Sequence, residues 1–326
     1  MENINQYTNI AYYKFVAIEN PSELRQTLLD LCLGLNLKGT IILAYEGINS
    51  CLVGAEQSIE QFIQFMHKDL RFTDIEFKKS VSNHIPFRRM LVKIKKEVIP
   101  LGMESIKPAE HTGKYIEPLE LKQWFDNKED FVVLDTRNNY EVDIGTFRGA
   151  INPNLTEFRN FPKWVKENFS QYKNKKIVTF CTGGIRCEKA TAFMQQEGFE
   201  NVYQVKGGII KYFEETAQKA PAQDNHYDGD CFVFDYRVAV DKNLEQSKYC
   251  ICYNCWRTLT AADLEHENYK KDTYCPHCHT YYLQRERSRK KIMEENNLKS
   301  LQVRKERAQE IRKALLKEEA VSFPHP

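Results

Sequence analysis

The sequence predicts a multidomain protein of mixed α/β and α+β class, and three observations carry that prediction. The chain has 326 residues, more than a single hydrophobic core ordinarily fills. Its first hundred or so residues read as strand, helix, two strands, helix and strands, whereas strands and helices alternate singly after residue 115. Five of its ten cysteines fall between Cys250 and Cys278, a concentration that in a reducing compartment points to metal binding or catalysis rather than to disulfides.

In the first domain, 1–109, a strand is expected at Tyr12–Ile18. A helix opens at Asn20-Pro21-Ser22-Glu23, where Pro21 and Glu23 are good helix-entry residues, and runs to about Leu35. Strands at Thr40–Tyr45 and Ser50–Gly54 precede a helix at Ser58–Asp69, whose Ile59, Phe62, Ile63 and Met66 share one face. With strands at Asp74–Ser80 and Leu91–Lys95 the order matches the ferredoxin-like βαββαβ motif, a scaffold too common to specify a function.

A polar connector, Glu110 to Tyr115, leads into a second domain over 110–220 with the pattern of a doubly wound parallel sheet. Its elements are a helix at Pro118–Phe125, a buried strand at Phe131–Asp135, a helix at Lys163–Phe169 and a strand at Lys176–Cys181. A helix at Cys187–Glu197, a strand at Asn201–Val205 and a helix after Gly207-Gly208 complete it. Residues 221–284 read as a small cysteine-rich segment, with two strand-like stretches between Tyr227 and Val240. Residues 285–326 read as a charged tail, helical from about Leu283 to Glu319.

The chemistry concentrates at Cys181-Thr182-Gly183-Gly184-Ile185-Arg186. A strand that ends in a cysteine, followed by small residues and a helix start, sets the sulfur in a cup of backbone N–H groups. That field favours the thiolate, and Arg186 adds a full positive charge. Cys187, one residue beyond, is open to two readings: a partner that resolves an oxidised Cys181 as a disulfide, or a small residue packed in the sheet layer.

The loop and its surroundings resemble the rhodanese family over roughly Tyr115 to Glu215. The resemblance is carried by Val133-Leu134-Asp135-Thr136-Arg137, Glu141, Gly145, Arg148-Gly149-Ala150-Ile151-Asn152, the loop itself, and Val205-Lys206-Gly207-Gly208-Ile209. It implies a doubly wound sheet and, in active members, a loop cysteine that carries a persulfide. Asp135, Arg137 and Arg148 match positions that look structural there. Four residues separate Cys181 from Arg186; phosphatases of this superfamily need one more to surround a phosphate, so the cup is sized for sulfur.

Cys252-x-x-Cys255 and Cys275-x-x-Cys278, nineteen residues apart, have the spacing of a four-thiolate zinc site. Such a metal would fold a segment too polar to fold on its own core. Cys250, His266, His277 and His279 are spare candidates, and free thiols are the alternative.

Net charge is +2, but Arg285 to Lys317 holds twelve Lys or Arg against five Glu. Arg285, Arg287 and Arg289 there, with Arg88, Arg89 and Lys93 in the first domain, are the candidate RNA contacts; taken singly, each set also reads as a solvated face.

The three-part order resembles the bacterial tRNA uridine hydroxylases that make 5-hydroxyuridine at the wobble position. Gly39-Thr40-Ile41-Ile42-Leu43-Ala44-Tyr45-Glu46-Gly47-Ile48-Asn49, Pro86-Phe87-Arg88-Arg89-Met90-Leu91-Val92-Lys93 and the run from Cys181 to Ala190 carry the likeness. It implies dioxygen-dependent hydroxylation of uridine 34, with Cys181 essential, tRNA bound through its anticodon arm, and an electron donor that the residues do not specify. Composition and spacing alone favour a sulfurtransferase, and an RNA-binding scaffold without catalysis is the third reading. No apolar run is long enough to span a bilayer and the amino terminus has no secretory pattern, so a cytoplasmic protein without a membrane partner is expected.

Overall fold

The computed structural model describes residues 6–219, 224–252, 254–255 and 257–321, and in the last helix it describes side chains as far as 300 and at 302, 303 and 306. The chain divides into two compact units, Met1–Cys250 and Ile251–Pro326.

The first unit opens with β1 (Tyr7–Phe15), α1 (Pro21–Gly34), β2 (Lys38–Ala44), β3 (Gly47–Gly54), α2 (Glu56–Lys68), β4 (Lys78–Ser82) and β5 (Met90–Ile94). The strand order β4-β1-β3-β2-β5 is ferredoxin-like, with β5 added in parallel to β2 at the edge. The first strand starts at Tyr7 and ends at Phe15 instead of covering Tyr12–Ile18. Its polar opening is held by pairing to β4, Tyr7 opposite Ser82 through Ala11 opposite Lys78, and Asn9 donates to Ser82 Oγ at 2.9 Å. Ile10, Tyr12, Ile41, Leu43, Ile48 and Leu52 turn toward the helices and form a core with Leu28, Phe62 and Met66. By the period-2 alternation of strands, Ala11, Tyr13, Thr40, Ile42, Asn49, Cys51 and Lys78 occupy the opposite face.

The second domain follows with β6 (Lys114–Ile116), α3 (Pro118–Asp126), β7 (Val132–Asp135), α4 (Asn139–Val142), β8 (Gly145–Phe147), α5 (Phe161–Asn168), β9 (Ile177–Phe180), α6 (Ile185–Gln196), β10 (Val202–Val205) and α7 (Gly208–Lys219). β6-β10-β9-β7 form a parallel sheet. Phe161, Val165, Phe193 and Met194 pack one layer of helices on it, and Leu121, Ile209, Tyr212 and Phe213 pack the other. The expected connector is itself structured: β6 takes up its end, and Gly113 N donates to Thr191 Oγ1 at 2.9 Å. Thr112 and Tyr115 spend their hydroxyls on Glu188 of α6, and in the sequence that long-range bonding looks only like loop polarity.

The segment expected to open the cysteine-rich domain at 221 instead continues the first unit, although 220–223 lie outside the described residues. β11 (Tyr227–Gly229) pairs with β8, and β12 (Cys231–Phe232) pairs with β13 (Ala239–Val240). Tyr227 fixes this return, since its hydroxyl donates to Gly145 O at 2.8 Å in the core.

Two buried polar residues of α6 tie the ferredoxin-like and second domains together. Glu188 accepts from Tyr13 at 2.9 Å, Tyr115 at 2.8 Å and Thr112 at 2.9 Å. Lys189 pairs with Glu46 at 2.8 Å and Glu97 at 2.6 Å.

The second unit begins within β14 (Cys250–Ile251), at Ile251, and continues with β15 (Thr258–Leu259), α8 (Ala261–Glu265) and α9 (His279–Val321), a helix of 43 residues. α9 starts four residues before the expected Leu283, and every residue from 287 to 300 is exposed. No helix among the described residues is long and apolar enough to cross a membrane.

Candidate functional site

Cys181 follows β9 directly, and α6 starts four residues later, so the loop between them is short and its amides converge. Gly184 N donates to Cys181 Sγ at 3.1 Å. Gly184 adopts φ 101°, and a Cβ there would stand 2.8 Å from the Tyr13 hydroxyl, so both backbone and neighbour require glycine. The first turn of α7 grips the loop from behind: Ile209 N donates to Cys181 O at 3.0 Å and Ile210 N to Thr182 O at 3.1 Å. A Cβ on Gly208 would lie 2.5 Å from Cys181 O, which explains the second glycine of Gly207-Gly208.

Burial alone would raise the Cys181 pKa. The Cys187 thiol, the Arg186 guanidinium and the backbone N–H groups of Arg186 and Gly184 outweigh it and bring the thiol down to about 5. Arg186 is itself fixed by Glu141 of α4, with Nη1 to Oε2 at 2.5 Å and Nη2 to Oε1 at 2.7 Å. Thr182 Oγ1 also donates to Glu141 Oε1 at 3.2 Å, so one buried carboxylate organises both ends of the loop. Cys187 is fully buried, contacts Thr136 Oγ1 at 3.6 Å, and has its pKa raised by burial and by the neighbouring Cys181. Its thiol is thus held in the protonated form beside the Cys181 sulfur.

The loop opens into a mainly apolar cavity of about 520 Å³. Cys181, Thr182, Gly183, Ile185 and Arg186 form one side, with Tyr140, Phe158 and Phe234 around them. The opposite wall is the free sheet face of the ferredoxin-like domain: Ala11, Tyr13, Thr40, Ile42, Asn49, Cys51 and Lys78. Sequence reading missed this wall. The signal that would have found it is the alternation along the first and third strands, where polar and small residues take one face while the helices cover only the other.

The remaining family-matched residues are structural in placement. Asp135 and Arg137 form a wholly buried pair at 2.7 Å, and Arg137 also donates to Gly145 O at 2.6 Å. Arg148 pairs at the surface with Asp228 and Asp224.

In the second unit, Cys252, Cys255, Cys275 and Cys278 bring their sulfurs within 4.8 Å of one another. The separations Cys252–Cys278 and Cys255–Cys275 are 3.6 Å and Cys275–Cys278 is 3.8 Å. Four thiolates about 2.3 Å from a tetrahedral zinc stand roughly 3.8 Å apart, so the donor set can hold a metal such as zinc. Cys275 N and Asn254 Nδ2 donate to Cys278 Sγ at 3.4 and 3.3 Å, an arrangement that suits a thiolate. Cys250, His266, His277 and His279 stay outside the cluster; His277 faces Asp263 at 2.8 Å.

Of the basic residues, Arg88, Arg89 and Lys93 are exposed, and Lys93 pairs in register with Ile42 on the cavity face of the sheet. The Arg88 guanidinium lies 5.8 Å from the centre of the Tyr236 ring. Arg287 and Arg289 are exposed on α9. Arg285 is half-buried and donates to Asn254 Oδ1 at 3.3 Å, which spends part of its hydrogen-bonding capacity on the cysteine knuckle. The side chains of Arg304, Lys305 and 307–317 lie outside the described residues.

The fold and the loop define a rhodanese-domain protein, and residues 117–215 match the rhodanese-like domain family. Residues 7–98 match the UPF0176 acylphosphatase-like domain. In this order the two domains match the architecture of the UPF0176 family. Among solved structures, a rhodanese-like domain from Anabaena sp. is 19% identical, covering 34% of this chain and 86% of its own, with a TM-score of 0.27. A rhodanese-related protein from Thermoplasma volcanium is 26% identical, covering 31% and 92%, with a TM-score of 0.26. A rhodanese-like domain protein from Staphylococcus aureus is 22% identical, covering 30% and 90%, also at 0.26.

Proposed function

We propose that this protein hydroxylates C5 of uridine 34 in tRNA, with Cys181 as the nucleophile, dioxygen as co-substrate and the anticodon arm as the part of the tRNA that is bound. The observation that carries the reading is an acidified thiol at one side of a mainly apolar cavity whose other side belongs to a second domain. A volume of about 520 Å³ is in the range of sites that enclose a small ligand, and a pyrimidine must leave its stack to enter it. The family architecture supports the same reading.

In the proposed reaction the Cys181 sulfur forms a bond to C6, and the C5–C6 π pair moves to C5 and O4 as an enolate. C5 bonds to dioxygen, giving a C5 hydroperoxide once a proton is taken up. A two-electron donor of the dithiol class cleaves the O–O bond to C5–OH and water, becoming a disulfide. Loss of the C5 proton then expels the sulfur and restores the ring. Uridine, dioxygen and two thiols thus give 5-hydroxyuridine, water and a disulfide.

A second reading, rhodanese-type sulfur transfer through a Cys181 persulfide, is favoured by the match over 117–215 and by the N–H cup around the sulfur. Nucleoside mass spectrometry of tRNA from cells lacking the gene separates the two. Loss of 5-hydroxyuridine, restored by the wild type and not by Cys181→Ser, supports hydroxylation; unchanged nucleosides with sulfurtransferase activity in the purified protein reject it. In the second unit we infer a structural zinc held by Cys252, Cys255, Cys275 and Cys278, and we assign Arg88, Arg89, Lys93, Arg285, Arg287 and Arg289 to RNA phosphates. We place the reaction in the cytoplasm, where tRNA and thiol reductants meet.

A further inference from the structure

The arginines that line the cavity are committed to carboxylates. Arg186 is bound to Glu141, and Arg159 to Glu157 at 2.8 Å. Lys78 lines the same cavity, is half-buried, and among the described residues has no carboxylate within ion-pair distance of its ammonium.

Its placement is specific. Lys78 opens β4 opposite Ala11 of β1, on the sheet face that looks toward Cys181. The alanine methyl leaves room for the lysine stem, and Nζ stands 5.1 Å from the centre of the Tyr13 ring. That ring is fixed in turn, because the Tyr13 hydroxyl donates to the buried Glu188. A ring face supports an ammonium without neutralising it, unlike a carboxylate. Lys79, the next residue, points to the other face and pairs with Glu60 of α2. Burial lowers the Lys78 pKa, while the Cys181 and Glu76 charges oppose that loss of basicity. The fold has therefore kept in the cavity a cation with no carboxylate bound to it, at the cost of desolvating it.

We propose that Lys78 is the cation which the ferredoxin-like domain contributes to the Cys181 cavity, where its ammonium donates to the uracil carbonyl oxygen that becomes negative as sulfur adds to C6. The catalytic part of this proposal rests on the hydroxylase reading. As the S–C6 bond forms, the π pair moves toward O4, and no electron leaves the system in this step. A preorganised donor aimed at such an oxyanion is ordinarily worth about 100-fold or more in rate.

The test compares Lys78→Met, Lys78→Arg and, as a control from the opposite face, Lys79→Met, in the full-length protein with folding checked by thermal melting. The first readout is the ratio of Cys181 alkylation rates with iodoacetate and iodoacetamide, which needs no tRNA. Lys78→Met should lower that ratio by about fivefold or more, because a nearby cation attracts the anionic reagent. Lys78→Arg should hold the ratio near wild type, and Lys79→Met should leave it unchanged. The second readout is single-turnover hydroxylation at saturating tRNA. It should fall by about 100-fold in Lys78→Met with tRNA affinity little altered, and recover partly in Lys78→Arg. An unchanged alkylation ratio in folded Lys78→Met overturns the proposal, as does a lowered ratio with wild-type hydroxylation. If the wild type hydroxylates no tRNA, the hydroxylase reading fails instead, and the alkylation ratio alone decides whether Lys78 is the cation of this site.

Discussion

Arg186 and Glu141 are joined by two parallel hydrogen bonds at 2.5 and 2.7 Å with both side chains buried, so the charge that favours the Cys181 thiolate is itself held by a carboxylate from another helix. The pair can be broken from either side with opposite effects on the thiol. Arg186→Met should move the midpoint of Cys181 alkylation upward by roughly one to three pH units. It should also cost about 3–5 kcal/mol of stability, because Glu141 is left buried and unpaired. Glu141→Gln should destabilise as well, yet move the midpoint down, since Arg186 loses its countercharge. Midpoints that shift in the same direction would refute the arrangement.

Cys181 itself should alkylate at a rate that levels off above about pH 6 and falls below about pH 5, whereas an ordinary thiol keeps accelerating toward pH 9. The depressed pKa has a stability consequence. A group more acidic in the folded state than in the unfolded chain stabilises fully above its unfolded pKa, and that contribution is lost as pH falls through the folded value. The stability gap between wild type and Cys181→Ser should therefore shrink from pH 9 to pH 5. Cys181→Ser should abolish turnover and remain folded. Cys187→Ser should be milder, retaining a hydroxyl donor at the same position.

Protein prepared without chelator should contain about one zinc per chain. Chelation should release it and unfold the region from Cys252 to Cys278 while the first unit keeps its thermal transition, as differential scanning calorimetry with metal analysis would show. Four freely titratable thiols and no metal would reject the assignment.

Removal of the segment from Arg285 onward should weaken tRNA binding and flatten its salt dependence by about 0.7 to 0.9 in logarithmic slope for each phosphate that is no longer neutralised. Arg287 and Arg289 should contribute more than Arg285, which is partly engaged with Asn254. Neutralising Arg88, Arg89 and Lys93 should act in the same direction. Alkylation of Cys181 should be untouched in all of these proteins, and an unchanged salt slope would show that the basic residues are merely solvated.

What the sequence revealed and what it hid follow a physical pattern. Local signals were legible: the Pro-Ser-Glu entry of α1, the strand-loop-helix around Cys181, and the paired knuckles that bring four sulfurs together. Elements stabilised mainly by distant partners were not. The opening of β1 is polar and exists through its pairing with β4, and β6 looks like a linker until β10 lies beside it. Tyr227 and the strands around it carry no local sign that they complete the rhodanese-like core. Lys78 is the extreme case, because nothing near it in the chain distinguishes it from Lys79.

The sheet face that looks onto Cys181 makes the two domains one inheritance. Cut free, residues 117–215 would leave the sulfur in a shallow dish, open to bulk water and to any small acceptor that diffused in. Beneath the strands of its neighbour the same sulfur faces a mainly apolar cavity walled by both domains, where electrostatic effects are stronger than in open water. A recombination event that carried off the rhodanese-like domain alone would take Cys181 and leave behind the wall that faces it.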